Sequence, residues 1–368
     1  MNPMLEKYAD LLVHYCLDLQ PGERLYLKST TLAEPLVREV FRSAVQAGAL
    51  VETELAFREQ ERIFIEHARS DAQLAYVSPF YQQAIETFDA YLYIRAPFNL
   101  REMQEVNGEK SSLRQNAFRE VNKTYFERTA TRALKRSLCQ FPTLAGAQEA
   151  GMSLEAYEQF VFNACKLFDV QPRESWLQVR QEQQKIVDFL NRKEKIRYKG
   201  DGIDITFSTK GRTWINSDGQ TNMPSGEVYT SPVEDSVNGV IRCSFPAIYM
   251  GHEVEDVTLH VRNGRVEQWS ARRGQSLLDQ VFAMPGARYF GEAAIGTNYS
   301  IDRFTKNILF DEKIGGTVHM AIGQSYFQTG GKNQSAVHWD MIAEMRNGGE
   351  IYADDEKIYK NGYFLPVF

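Results

Sequence analysis

The texture of this 368-residue chain changes near residue 190, and that change sets what it can fold into. Ahead of it, apolar residues recur at helical spacing between short extended runs. Leu5, Tyr8, Leu11, Leu12 and Tyr15 form one helical stripe, and Pro21-Gly22 breaks the chain before a predicted strand at Leu25–Leu27. Leu36, Val37, Val40, Phe41, Ala44 and Val45 form a second stripe that ends at Gly48. Further strands are predicted over 50–57 and 90–94, and helical segments then run to about 193, with Phe160, Ala164, Cys165 and Phe168 on one face. Strands separated by helices point to a parallel α/β sheet.

Past residue 190 the signals are those of hairpins. Ile196–Tyr198 and the alternating Ile203, Ile205 and Phe207 flank Gly200-Asp201-Gly202. Asn263-Gly264 joins Val257-Leu259-Val261 to Val266, and Asn361-Gly362 joins Ile358-Tyr359 to Tyr363-Phe364. Asn-Gly is the strongest short-range hairpin signal, because both central residues of the favoured turn need positive φ. The expectation is two domains: an α/β domain with a parallel sheet over 1–190, and a mainly antiparallel β (α+β) domain over 191–368 that carries the metal-binding residues. A chain of this length has room for two cores.

Composition narrows the function classes. With 43% apolar and 24% charged residues, the chain is of ordinary globular type. A net charge of −6 gives no sign of nucleic-acid binding. Cys16, Cys139, Cys165 and Cys243 are scattered, with no CxxC pair, and read as buried thiols of a reducing cytoplasm. The first residues carry acids throughout and lack the apolar core of a signal peptide. No run approaches the roughly 18 apolar residues of a membrane span.

The chemistry-bearing residues lie in glycine-rich runs of the second half. His338 and Asp340 are two apart in AVHWDM, so on a strand both project from one face while Trp339 points the other way. His319 sits opposite the apolar Val318, Met320 and Ile322 in GGTVHMAIG. Glu227 and Glu292 each follow a glycine. With Tyr326 beside them, these hard oxygen and borderline nitrogen donors are what a hydrolase needs to hold one or two divalent cations.

Four runs, MPSGEVYTSPVEDSVNG, GEAAIGTNYSI, LFDEKIGGTVHMAIG and NQSAVHWDMI, resemble in sequence and order the thermophilic metallo-aminopeptidase family that includes aminopeptidases T, S and PepS. The resemblance spans essentially the whole chain. It implies metal ligands at Glu227, Glu292, His319, His338 and Asp340, with Glu292 or Asp340 bridging if two ions bind. It also implies catalytic roles for Glu292, as general base or purely as ligand, and for Tyr326 near the metal. The ions would be zinc, cobalt or manganese, the substrates short peptides with free N-termini, and the assembly a homodimer. The segment FQTGGKNQSAV between Tyr326 and His338 is shorter than in some members, which bears on substrate preference and not on the ligand set.

Two other readings compete. A non-haem iron oxygenase could use His338, Asp340 and His319 as a facial triad, but that leaves Glu227 and Glu292 idle and puts the distal histidine in the wrong order. A catalytically silent peptide-binding relative would keep the fold without turnover. Gly330-Gly331-Lys332 fails as a phosphate loop, since positions 326 and 333 are Tyr and Asn. His14 and His67 are read as structural, and His252 and His260 are left out of the site because no resembling run contains them.

Overall fold

The computed structural model describes residues 2–366. The chain forms two compact units, one made of the chain up to Arg173 with Gly219–Pro224, the other of Glu174–Asp218 with the chain from Ser225 onward. The sequence expectation put a single boundary near 190. The helix Pro172–Leu190 instead belongs with the second unit, because Ile186, Val187, Phe189 and Leu190 are part of that unit's core.

The first unit holds a five-stranded, wholly parallel sheet in the order Leu50–Ala56, Arg24–Thr30, Ala90–Arg95, Lys135–Gln140, Asn222–Met223. Leu25, Leu27, Leu92 and Ile94 are buried within it. The first helical stripe is buried in full, from Leu5 to Tyr15. The second is narrower than expected: Leu36, Val37, Val40 and Ala44 are buried, while Phe41 and Val45 are exposed, since they lie about 100° around the helix from the buried row. Phe168 is likewise exposed, because its helix, Leu154–Ala164, ends before it. The strand Lys135–Gln140 was not foreseen, as KRSLCQ lacks the β-branched alternation that marks strands.

The second unit packs two large antiparallel sheets, with a two-stranded hairpin of Ala247–Tyr249 and His252–Val254 beside them. One has eight strands, in the order Arg265–Ser270, Val257–Arg262, Asn238–Cys243, Ile203–Ser208, Lys195–Gly200, Glu350–Ala353, Glu356–Lys360, Tyr363–Phe364. The other has five: His338–Glu344, Thr317–Gly323, Phe290–Gly296, Glu227–Thr230, Ile215–Ser217. All three predicted hairpins form. At one of their turns Asn263 and Gly264 take φ of 47° and 80°, and a Cβ on Gly264 would lie 1.7 Å from the Glu234 carbonyl oxygen, so no other residue fits there. The core lies between the sheets, with Ile205, Ile241 and Leu259 from the larger meeting Val228, Ala293, Val318, Met320 and Met341 from the smaller. The parallel sheet and the antiparallel second half both agree with the fold class expected from the sequence.

Candidate metal centre

Strand alternation places the candidate donors. In the five-stranded sheet, Val228, Ala293, Val318, Met320, Trp339 and Met341 go to the core. The residues between them, Glu227, Glu292, His319, His338 and Asp340, therefore project from the opposite face. On at least one side each of them meets a small residue across the ladder: Glu227 faces Gly296, Glu292 faces Ala321, His319 faces Ala294 with Ile342 on its other side, His338 faces Gly323, and Asp340 faces Ala321 from the other side. Larger partners would fill the space between the donors. The alternation and the small neighbours together leave one cluster of long polar side chains on an otherwise close-packed sheet.

Glu227 depends on the residue before it. Gly226 has φ of 116°, and a Cβ there would come within 2.7 Å of Asn298 Cβ. Behind the strand, the buried Gln183 amide donates to Asn216 Oδ1 at 2.6 Å, to the Ser217 carbonyl at 3.1 Å and to the Glu227 carbonyl at 3.3 Å, while its oxygen accepts from Thr297 Oγ1 at 2.7 Å. This one side chain ties three strand ends together under the site.

Within the cluster, His319 Nε2 lies 3.6 Å from Glu227 Oε2, 3.7 Å from Glu292 Oε1 and 3.9 Å from Asp340 Oδ1. His338 Nε2 lies 3.2 Å from Glu292 Oε2 and 3.6 Å from Asp340 Oδ1. Donor atoms of Glu227, Glu292 and His319 fall within 4.8 Å of one another, and so do those of Glu292, His338 and Asp340. The two triads share Glu292, whose two oxygens turn toward different imidazoles. His338 Nδ1 donates to the Gln324 carbonyl at 2.8 Å, which leaves Nε2 facing the carboxylates. The Tyr326 hydroxyl is 3.3 Å from that same Nε2, and its ring packs between His338 and Tyr229.

Glu227, Glu292 and His319 are buried, and Asp340 is nearly so. Glu227 Oε2, His319 Nδ1 and Asp340 Oδ1 have no hydrogen-bond partner among the described residues. Unpartnered polar atoms in a buried cluster cost free energy, roughly 1–3 kcal/mol for a neutral group and more for a charged one. Divalent cations would satisfy the two carboxylate oxygens, Glu227 Oε2 and Asp340 Oδ1, and balance the surplus of carboxylates around His319 Nε2, so the donor set fits the ions that the sequence resemblance implies.

The cluster's electrostatics have a definite sign. At His319, burial favours the neutral ring, but the nearby carboxylates of Glu292, Asp340 and Glu227 outweigh it and push the group up to about 9. At His338 burial is outweighed by Asp340 and Glu292, giving about 10. Glu292, despite its burial, is held below the usual carboxylate range by the two imidazoles. Burial raises Glu227 and Asp340, offset only in part by Lys313 and His338. Both imidazoles of the metal-free protein would then carry protons at pH 7 and would have to lose them to ligate a cation. Zinc uptake at pH 7 is expected to release about two protons from the imidazoles alone, and apparent affinity should climb with pH until those rings are neutral. Calorimetry in buffers of different ionisation enthalpy counts the protons; a count of zero would contradict the charge state.

All five expected donors and Tyr326 come together. Three contributors were not foreseen. Lys313 is fully buried, with Nζ 3.6 Å from Glu227 Oε1 and paired to Glu312, itself close enough to act on Glu227 and Asp340 electrostatically. Gln183 is the third; its helix carries no motif, so only topology reveals it. Glu234 accepts from Arg212 at 2.5 Å and from the Lys332 backbone N–H at 2.7 Å, bracing the segment after Tyr326. His252 and His260 are exposed, and His14 pairs with Asp10 at 3.6 Å in the first unit.

Fold and donor set are together those of a metal-dependent hydrolase. The chain belongs to the thermophilic metalloprotease (M29) family, which matches residues 1–364. Aminopeptidase 2 of Geobacillus stearothermophilus is 26% identical to it over 99% of this chain and 96% of its own. Aminopeptidase AmpS of Bacillus subtilis is 28% identical over 60% of this chain and 64% of its own. Among solved structures, wild-type AmpT from Thermus thermophilus shares the fold with a TM-score of 0.84, at 23% identity, covering 98% of this chain and 99% of that one.

Proposed function

We propose that this chain is a metallo-aminopeptidase that removes N-terminal residues from short peptides, with divalent ions held by Glu227, Glu292, His319, His338 and Asp340. The observation that carries this reading is the pair of donor triads sharing Glu292. The names of the similar proteins support the exopeptidase part of it. Zinc, cobalt and manganese all suit imidazole with carboxylate, since no thiolate is present to select among them.

A divalent ion in this cluster supplies Lewis acidity, polarising the scissile carbonyl and making water nucleophilic near neutral pH. The protein supplies the rest. Glu292, between the two imidazoles, bridges the triads or accepts the proton of the attacking water and returns it to the leaving amine. Tyr326 donates its O–H to the developing oxyanion. Desolvation at its hydroxyl and the carboxylates Glu292 and Asp340 push the phenol well above its ordinary value, so it stays a donor. A substrate's free α-amine could coordinate a bound divalent ion or pair with a carboxylate, which is how an enzyme of this class would demand a free N-terminus. Neither the oxygenase nor the silent-binder reading gains support, since the family is one of proteases. No helix among the described residues is long and apolar enough to cross a membrane. The four cysteines are buried and form no disulfide, which favours a cytoplasmic site of action. The homodimer remains the assembly that the family resemblance implies.

The test is hydrolysis of amino-acid anilides and dipeptides by chelator-stripped protein, before and after zinc, cobalt or manganese is restored, with N-acetylated controls. Metal-restored cleavage of free but not blocked N-termini is expected. Equal cleavage of blocked substrates would refute the exopeptidase reading.

A further inference from the structure

Lys313 is the residue that the proposed mechanism leaves unused. Its side chain has no exposure to solvent, and its ammonium lies 3.6 Å from Glu227 Oε1 and pairs with Glu312. A lysine this deep is retained only where carboxylates compensate it. Its position divides the two oxygens of Glu227: Oε1 faces the ammonium, while Oε2, without a hydrogen-bond partner, faces His319. Glu227 belongs to only one of the two triads. Among the described residues, no ion pair links Lys313 to Glu292, His338 or Asp340, and its charge reaches Asp340 only at longer range and more weakly than Glu227.

We infer that Lys313 is a positioning residue that makes the two cation positions unequal: it confines Glu227 to one ligating oxygen and places a fixed positive charge beside that triad. The Glu292–His338–Asp340 position then fills first and tightly. The Glu227–Glu292–His319 position fills second and more weakly, because its cation must share Glu227 with an ammonium that cannot withdraw to water. The backbone of Glu227 does not rely on Lys313, since the sheet ladder and Gln183 hold it. Removing the ammonium should therefore relieve repulsion more than it disturbs geometry. Occupancy of the second position would follow the supply of metal, leaving the enzyme open to regulation by exchange at one ion only.

This inference rests on the reading of two cation positions, and its test separates the two. Metal-free protein is titrated with Co²⁺ alone, following heat by calorimetry and the visible absorption bands of bound cobalt. The wild type should show two uptake steps at least about tenfold apart. In K313M the second step should tighten by about tenfold or more, narrowing the gap, whereas K313R should keep it. If K313M does not fold, the double variant E312Q/K313M removes both ends of the pair, and its second step should tighten relative to the wild type but by less than in K313M, because the Glu312 carboxylate that favours a cation is lost along with the ammonium. Two wild-type steps that K313M leaves unchanged, or a second step that it weakens, overturn this inference alone. A single step or none in every variant overturns the two-position reading as well.

Discussion

Glu292→Gln should lower kcat by roughly 10³-fold or more while the second unit stays folded. The expectation follows from position. Glu292 is the single member of both triads, and its oxygens lie 3.7 Å and 3.2 Å from the two imidazoles. Gln is isosteric and keeps one oxygen, but it loses the negative charge and cannot accept a proton. Circular dichroism would report an intact fold, and metal analysis would separate the two roles left open for this residue. A variant that still holds its ions yet does not turn over identifies Glu292 as the proton acceptor. Ions lost in parallel with activity identify it as the bridge. Wild-type kcat in E292Q would remove it from the mechanism.

Tyr326→Phe should reduce kcat by about 10²-fold, with KM little changed, if the phenol's work is done in the transition state. The hydroxyl is 3.3 Å from His338 Nε2, so it stands at the edge of the cluster where a polarised carbonyl oxygen would arrive. The ring is held independently of that hydroxyl, against Tyr229 and His338. Phe should keep those ring contacts, and with the residue 38% exposed the cost in stability should be small. A loss confined to KM would place Tyr326 in substrate binding, and no loss at all would leave it as packing.

The variants act on residues whose legibility in the sequence differed, for physical reasons. His338 and Asp340 could be paired from their spacing alone, because strand geometry fixes where positions i and i+2 point. Glu227 and Glu292 could not be joined to them in that way. They lie on strands far apart in the chain, brought together by antiparallel pairing of Phe290–Gly296 with both Thr317–Gly323 and Glu227–Thr230. Resemblance to a family suggested the grouping; only the ladder gives it a geometry. Lys313 was passed over because lysines are almost always exposed, and nothing local marks the exception.

The same division holds for the fold. Periodicity and Asn-Gly turns determined by themselves that a parallel α/β half precedes an antiparallel one, because both signals rest on backbone geometry within a few residues. Where the helix Pro172–Leu190 packs, how the second unit's sheets share one core, and the return of Asn222–Met223 to the first unit's sheet were decided by tertiary structure. So were the Ala and Gly residues that face each donor across the ladder, and the buried ammonium beside Glu227. These are contacts between residues distant in the chain, and their free energies depend on what burial brings together, which no local pattern encodes.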